Sequence, residues 1–415
     1  MTKKKGFINF LQEFSIPLIA GVLSALVFAN ISPETYHHFV DFMPFKDLKV
    51  FGHDFTLHFL VNDIFMVFFF GIAAKEITES ILPGGALNPM SKAINPLFAT
   101  IGGVVGPIAV FFILVKILGG MGSFGDVPMS EVNRGWGVPT ATDIALAWLV
   151  ARGVFGPGHP AVNFLLLLAV ADDAIGLGII AIFYGDPAYP AEPKMLLLVL
   201  LGMVVAFVLR KLQVQKWQPY IFVAGPLAWA GLMMAHLHPA LALVFIVPFL
   251  PGPKRDTGLF VEADEVDQKN PAASEHHNHG DHSPLHCFEH DMKLFVDLGL
   301  FFFAFANAGV ELAGIGTMTW VILGSLVIGK TLGVTLLGLL ARMLGFPLPA
   351  RMGLKHLAMA GFIAALGLTV ALFVCAQAFP GNEELLGQAK MGALFSGFVG
   401  VVAIPLGKML KMRES

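Results

Sequence analysis

Residues 164–184, FLLLLAVADDAIGLGIIAIFY, decide the fold of this chain. The stretch is long enough to cross a bilayer as a helix, because about 20 apolar residues at 1.5 Å per residue span the hydrocarbon core. Two adjacent carboxylates, Asp172 and Asp173, lie near its middle. Each ionised aspartate at that depth costs roughly 2.5–3.5 kcal/mol. The pair therefore predicts a wet cavity, a bound proton or a cation at this point of the helix.

The two aspartates are expected to have different roles. Neighbouring residues on a helix lie about 100° apart, so the two carboxylates cannot share one partner face. An aspartate that is merely satisfied within the core would account for one of them, but hardly for two at the middle of a span.

Composition places the whole chain in a membrane. Of its 415 residues 56% are hydrophobic and 13% are charged, and the mean hydropathy is +0.75. These values are typical of a polytopic helical membrane protein and exclude a soluble domain. The net charge of −3 indicates no nucleic-acid partner, and two cysteines predict no disulfide framework. The N-terminal MTKKKGF precedes a hydrophobic span without a cleavage signal, which indicates a retained first helix.

Twelve apolar spans are predicted, and residues 1–415 are expected to form a single transmembrane transporter domain. With the N-terminal lysines in the cytoplasm, twelve crossings place both termini there, together with most of the 26 Lys and Arg residues. Residues 253–290 are the one long polar insertion, and they predict a His-rich cytoplasmic loop. The predicted spans are 13–31, 57–80, 94–118, 135–152, 160–184, 194–212, 218–237, 239–252, 291–313, 317–343, 354–379 and 387–410.

Two of these spans contain helix-breaking residues. The fourth, GWGVPTATDIALAW, places Pro139 shortly before Asp143, and the eleventh, AGFIAALGLTVAL, has Gly367 beside Thr369. Glycine and proline are common in membrane helices, so either break alone would be weak evidence. Each broken span is, however, the middle of a three-span group, spans 3–5 and spans 10–12. This arrangement predicts two inverted-topology repeats, which are typical of secondary transporters.

Few charged residues lie within the predicted spans. Lys330 lies in the apolar run LGSLVIGKTLGVTLL, so it must be neutral or paired, and Asp172 or Asp173 is its natural partner. Asp143 is also a candidate N-cap for the helix after the break, which is compatible with a functional role. A carboxylate in a wet cavity binds either Na⁺ or H⁺, so one such site with access from two sides is sufficient for exchange. The residues alone do not select sodium among small cations.

Four segments resemble the NhaA family of bacterial Na⁺/H⁺ antiporters: GWGVPTATDIALAW, LAVADDAIGLGIIAIFY, LFFFAFANAGVEL and GKTLGV. The resemblance runs from span 2 to span 11. It implies an all-α polytopic membrane protein of about twelve transmembrane helices, in which broken helices 4 and 11 cross at mid-membrane. It further implies electrogenic, pH-regulated exchange of Na⁺, or Li⁺, for H⁺ across the bacterial inner membrane.

The resemblance also implies roles for individual residues. Asp173 would bind the ion or the proton, and Asp172 would pair with Lys330, which would act as a second proton carrier. Asp63 would lie along the approach pathway. The crossing point would be lined by Thr142, Asp143 and Thr369. Glu289 and His290 fall near a Glu-His pair of the family and are candidates for pH sensing.

The chain departs from the family pattern in two places. It has GIAAKEITES where family members have GLEVKREL, so Ala73 replaces an acid of the cytoplasmic charge cluster associated with pH activation. The second departure is a loop rich in histidine, which is compatible with a solvated linker, a pH-responsive patch or a Zn²⁺/Ni²⁺ site. Its histidines are His276, His277, His279, His282, His286 and His290.

Other classes of function fit less well. An intramembrane aspartyl protease would place its two aspartates on separate helices, and a retinal-type pump would not need paired broken helices. We expect neither an enzyme nor a cofactor. A sodium-coupled symporter of a small organic solute is the serious alternative, because it could use the same broken helices. The expected partners are Na⁺ or Li⁺, H⁺ and membrane lipid, and a homodimer remains open.

Overall fold

The computed structural model of the chain describes residues 15–45, 48–82, 90–185, 192–252 and 283–413. Within these ranges the chain is mostly helical and contains one small β-hairpin. The helices, in chain order, are α1 (Ile16–Ile31), α2 (Pro33–Val40), α3 (Leu57–Ile81), α4 (Met90–Gly120), α5 (Met129–Thr140), α6 (Ile144–Phe155), α7 (Pro160–Phe183), α8 (Pro193–Lys211), α9 (Tyr220–Met234), α10 (Pro239–Phe249), α11 (Pro284–Asn307), α12 (Thr317–Met343), α13 (Leu354–Ala364), α14 (Leu368–Ala378) and α15 (Glu383–Met409).

The apolar composition of these helices suits a membrane. Six helices in the described ranges are long and apolar enough to cross a bilayer, namely α3, α4, α7, α8, α12 and α15. Two bent pairs, α5 with α6 and α13 with α14, raise the number to eight if each pair is one span. The apolar helices α1, α9 and α10 are shorter. The chain is thus an all-α membrane protein, whereas the count of twelve spans and the inverted repeats remain predictions.

The two broken spans that the sequence predicts are present. α5 and α6 meet at an angle of 51°, and α13 and α14 meet at 50°. The breaks comprise residues 141–143 and 365–367. The first break follows Pro139, and the second ends at Gly367, so both fall within the segments where the sequence indicates them.

The predicted His-rich loop, residues 253–290, ends earlier than the sequence indicates. α11 begins at Pro284, so residues 284–290 are helical. The reason is local, because proline suits the first turn of a helix and the Ser283 hydroxyl accepts a hydrogen bond of 3.3 Å from the His286 N–H. The rest of the predicted loop, residues 253–282, lies outside the described ranges.

A small hairpin occupies part of the segment between α2 and α3. Strand β1 (Lys49–Val50) pairs antiparallel with β2 (His53–Asp54), and the side chains of Lys49 and Asp54 form an ion pair of 3.2 Å. The weak alternation of residues 33–56 indicates a hairpin over a wider range, but α2 takes up the first part of that range.

The chain divides into two compact units. The first comprises Met1–Phe65, Ile94–Pro190 and Asp297–Ser415, and it contains both bent pairs together with α7, α12 and α15. The second comprises Met66–Ala93 and Ala191–Val296, in which α8 packs against α9 and α10 packs against the second half of α3. That residues 1–415 function as one domain remains a prediction.

Glycines bring α4 and α12 into backbone contact within the first unit. A Cβ on Gly102 would lie 2.0 Å from the Gly333 carbonyl oxygen, and a Cβ on Gly106 would lie 2.3 Å from that of Gly329. Small residues four apart allow such close crossings of membrane helices. The α12 backbone also makes a π-helical turn, Ser325–Lys330, which ends at the one lysine that the sequence places in mid-span.

Candidate ion site at the helix crossing

The first break leaves extended residues between α5 and α6. α5 ends in a 3-10 turn, Arg134–Thr140, and Pro139 within it has no backbone N–H. Ala141 follows with extended backbone angles (φ −83°, ψ 152°). α6 restarts after Asp143, whose Oδ1 accepts a hydrogen bond of 3.0 Å from the Leu146 N–H. The N-cap role that the sequence allows for Asp143 is therefore present.

The second break meets the first at Asp143. The Asp143 N–H donates to the Leu366 carbonyl, so the two breaks are joined through their backbones. The second carboxylate oxygen of Asp143, Oδ2, accepts from the Thr369 hydroxyl at 2.8 Å and from the Thr369 N–H at 3.3 Å. This carboxylate therefore caps the N-termini of both α6 and α14, where the helix dipoles favour a negative charge.

Lys330 of α12 is fully buried and its ammonium is completely satisfied. It donates to the carboxylate of Asp172 on α7, to the Thr140 carbonyl at 2.7 Å and to the Thr142 hydroxyl oxygen at 2.8 Å. An ammonium has three protons, and all three are used. Thr140 is the last residue of α5, so its carbonyl lies at the negative end of that helix dipole. The buried cation is thus compensated by a carboxylate and a helix C-terminus.

The Thr142 hydroxyl links both breaks to the ion pair. Its oxygen accepts from Lys330, and its proton can go either to Asp172 Oδ2 at 2.7 Å or to the Ala364 carbonyl at 2.8 Å. A hydroxyl has one proton, so it serves one of these acceptors at a time. Thr142 is fully buried, so these contacts form without exposure to solvent.

The two adjacent aspartates lie in different surroundings, as their angular separation predicts. Asp172 is 0% exposed, and its Oδ2 is used by Lys330 and Thr142. Its Oδ1 accepts no hydrogen bond from the residues that the structure describes. Asp173, the next residue on α7, is 8% exposed. We call the six residues of this region the crossing cluster: Thr142, Asp143, Asp172, Asp173, Lys330 and Thr369.

Asp63 is half-buried in a π-helical turn of α3, Leu60–Phe65. Its neighbour Asn62 accepts a hydrogen bond of 2.9 Å from the side chain of Asn307 on α11 and approaches the His58 imidazole at 2.7 Å. This polar group lies within the first unit, which also contains the crossing cluster. The position of Asp63 along an approach pathway stays a prediction.

A second buried charge cluster joins α3 to α11 within the second unit. The ammonium of Lys75 contacts the carboxylates of Glu79, one turn further along α3, and of Glu289 on α11. Glu76 is 8% exposed and interacts electrostatically with the same three groups. We call Lys75, Glu76, Glu79 and Glu289 the α3–α11 cluster. Lys293 is a further basic group near it.

The structure separates Glu289 from His290, which the sequence groups together. The Glu289 carboxylate is paired with buried Lys75. The His290 side chain is 80% exposed, and its Nδ1 lies 3.3 Å from Asp291 Oδ1. Only the glutamate therefore belongs to the buried cluster, while the pH-sensing role of either residue stays a prediction.

Sequence reasoning misses several residues of these sites. It notes the loss of an acid at Ala73 but overlooks Glu79, although the four-residue spacing from Lys75 to Glu79 is the usual spacing of a helical ion pair. It also omits Lys390 of α15, which is 9% exposed and interacts electrostatically with His58, beside Asn62. The role of the Thr140 carbonyl cannot be read from the sequence, because every residue has a backbone carbonyl.

The fold and the crossing cluster together define a class of protein. Helices that are interrupted near buried ionisable residues, with their ends facing charged groups, are typical of secondary transporters. The chain is thus a helical membrane transporter with discontinuous helices.

Comparison with known proteins gives the family. A family model described as Na⁺/H⁺ antiporter 1 matches residues 6–406, and the chain belongs to this family. The Na(+)/H(+) antiporter NhaA of Geobacter sulfurreducens is 57% identical, with 98% of each chain covered. The NhaA of Desulfitobacterium hafniense is 56% identical over 100% of this chain and 98% of its own. That of Jannaschia sp. is 41% identical over 98% of each. The family resemblance of the sequence motifs is confirmed.

Proposed function

We propose that this chain exchanges Na⁺ for H⁺ across the bacterial inner membrane, and that Asp173 holds the ion and the proton in turn. The observation that carries this proposal is the difference between the two adjacent carboxylates. Fully buried Asp172 is held by the Lys330 ammonium and the Thr142 hydroxyl, whereas Asp173, the next residue on α7, is 8% exposed. A carboxylate that keeps some exposure beside a buried ion pair can take a cation or a proton from solution.

The crossing cluster offers the oxygen ligands that a hard cation prefers. Asp172 Oδ1 accepts no hydrogen bond from the described residues, so it has lone pairs for a cation held beside Asp173. Hydroxyl oxygens of Thr142 and Thr369 are close to the two carboxylates of Asp172 and Asp143. Li⁺ uses the same ligands, so we propose Na⁺ or Li⁺ as the substrate cation.

Asp143 and Thr369 hold the crossing together in this scheme. The Asp143 carboxylate is stabilised by the N-termini of α6 and α14, so its negative charge needs no bound metal. It adds to the negative potential that draws cations to the cluster. Asp63, on α3, is proposed to lie on the approach pathway.

Lys330 is the proposed second proton carrier. Na⁺ held by Asp172 and Asp173 competes with the ammonium for the Asp172 carboxylate, and Lys330 is proposed to release a proton when it loses this partner. Two protons then leave for one Na⁺, which makes the exchange electrogenic. An imposed membrane potential should change the Na⁺ flux of the wild type, and Lys330→Gln should weaken this dependence.

Alternating access is proposed to come from two inverted repeats within twelve spans, with both termini in the cytoplasm. The support is that both bent pairs have nearly the same angle and meet through their breaks. In such transporters one repeat moves against the other around a fixed site. A homodimer remains an open alternative to a monomer.

pH regulation is proposed to act through the α3–α11 cluster. Lys75 and nearby Lys293 face the three carboxylates of Glu76, Glu79 and Glu289, so the cluster has one more acid than base. A surplus acid in buried surroundings is a site for proton uptake.

The decisive experiment compares the wild type with Asp173→Asn in proteoliposomes. The asparagine keeps the shape of the side chain but can neither bind Na⁺ by charge nor release a proton. We expect Na⁺ to dissipate a preset pH gradient in the wild type and to have no such effect in Asp173→Asn. Asp126→Asn, at an exposed position, is the matched control and should transport normally. Normal exchange by Asp173→Asn would exclude Asp173 as the site.

The same assay separates exchange from the alternative, a sodium-coupled symporter of a small organic solute. An antiporter dissipates the pH gradient when Na⁺ alone is added. A symporter needs an organic solute and leaves the gradient unchanged without it. The names of the relatives favour exchange.

A further inference from the structure

Tyr184, the residue directly after α7, binds the 3-10 segment, Arg134–Thr140, with which α5 ends. Its hydroxyl accepts a hydrogen bond of 2.9 Å from the Gly137 N–H and donates one of 2.6 Å to the Arg134 carbonyl. These two backbone groups are three residues apart and face one another across a single 3-10 turn. One side chain thereby holds both ends of the turn.

The glycine at position 137 leaves room for the Tyr184 side chain. A Cβ on Gly137 would lie 2.6 Å from the Tyr184 hydroxyl oxygen and 2.7 Å from Cε2 of its ring, so only glycine leaves room there. Tyr184 is 3% exposed. The Trp136 ring closes the other side, with its centroid 5.2 Å from that of Phe183 and 6.2 Å from that of Tyr184. The end of α7 is therefore locked to the end of α5.

The turn that Tyr184 holds leads directly into the crossing cluster. Three residues after Gly137 is Thr140, whose carbonyl accepts from Lys330, and two residues later is Thr142, which bonds to Asp172. Asp172 lies on α7, about 18 Å before Tyr184 at 1.5 Å per residue. Asp172 on α7 and Tyr184 just after α7 thus contact the segment of residues 134–142 at two points.

We propose that Tyr184 is a positioning residue for the ion site, because its hydroxyl sets where the Thr140 carbonyl and the Thr142 hydroxyl meet Lys330. The inference rests on the proposed function, since that site is the proposed Na⁺/H⁺ site. Without the hydroxyl the ring still packs, but the turn is released and the acceptors of the ammonium shift. The Thr142 hydroxyl oxygen, a proposed ligand of the cation, then leaves its place beside Asp172, and Na⁺ binds more weakly.

The test is Tyr184→Phe in the full-length protein, with two readouts. Calorimetric titration of the purified protein gives the Kd for Na⁺, and proteoliposome assays give the apparent KM and maximal rate of exchange. We expect Kd and KM to rise about 3- to 10-fold, as for the loss of one or two buried hydrogen bonds, with the maximal rate within about twofold. Tyr36→Phe and Tyr220→Phe each lose one bond to a backbone carbonyl elsewhere and should leave Kd unchanged.

Gly137→Ala is the second variant, because its Cβ displaces the tyrosine hydroxyl from the opposite side. It should raise Kd in the same direction, and the effects of both changes should not add, since they break one contact. An unchanged Kd in Tyr184→Phe, or a lower maximal rate at unchanged Kd, would overturn the inference. So would misfolding of both variants, which would assign the hydroxyl to structure alone. Na⁺ binding without exchange in the wild type would contradict the proposed function, while the effect of Tyr184 on Kd could still be measured.

Discussion

The crossing cluster and the α3–α11 cluster both bury a lysine, but they balance its charge differently. Lys330 meets one carboxylate, and its other two protons go to a carbonyl and a hydroxyl. Lys75 meets two carboxylates directly, and Glu76 is buried beside them. Both side chains of the Lys330–Asp172 pair are fully buried. In the Lys75–Glu289 pair, the glutamate side chain is 20% exposed.

This difference shows how the surroundings of a buried ion pair determine what it can do. Neutral acceptors fix the position of Lys330 without adding charge, which fits the proposed exchange of its pairing with Asp172 for a cation. In the α3–α11 cluster, Lys75 and Lys293 face three carboxylates, and in the proposed regulation the one surplus acid takes up a proton. The first arrangement fits the proposed transport site and the second fits the proposed regulatory one.

The largest effect is expected for Lys330→Ala. It leaves Asp172 buried without a cation, and breaking a buried ion pair in this way costs about 3–5 kcal/mol of unfolding free energy. Protonation of Asp172 relieves part of this loss. Chemical denaturation in detergent measures it, and Lys330→Arg, which keeps the charge, should lose less. Equal stability of Lys330→Ala and the wild type would show that the pair contributes nothing to the fold.

Lys75→Met should have a smaller effect, about 1–3 kcal/mol, because water can reach the Glu289 side chain that it leaves behind. Lys116→Met, at an exposed position, provides the control and should stay within about 0.5 kcal/mol of the wild type. The same denaturation experiment compares both. If Lys75→Met proved as destabilising as Lys330→Ala, the contrast between the two clusters would be wrong.

The smallest effects separate Glu289 from His290. Glu289→Gln removes a carboxylate from the α3–α11 cluster, and the remaining acids then repel one another less when ionised. The pH profile of exchange should therefore move toward lower pH. His290→Ala changes an exposed side chain, so its profile should match that of the wild type and its stability should change by no more than about 0.5 kcal/mol. Proteoliposome assays across a pH series measure both pH profiles. A shifted profile in His290→Ala would show that His290 takes part in pH regulation.

The sequence by itself determined the features whose causes are local. Apolar composition predicts the membrane helices, and Pro139 and Gly367 predict the two breaks, because proline and glycine act on the backbone of their own turn. It also identified the buried charges at Asp172, Asp173 and Lys330, since an ionisable residue in an apolar span is costly wherever the span packs. The sequence predicts a polar loop that continues to residue 290, although Ser283 and Pro284 are a typical start signal for a helix, and α11 begins there.

Only the tertiary structure decided which groups meet. The sequence allows Lys330 to pair with either aspartate, because its partner on α7 is 158 positions away and helical periodicity does not give the rotation of one helix against another. The contact of the Thr140 carbonyl with Lys330 and that of the Tyr184 hydroxyl with Arg134 are likewise set by tertiary packing. Their roles depend on where the helices cross, and that is set by close contacts such as Gly102 with Gly333, which act over the whole packed unit and not along the chain.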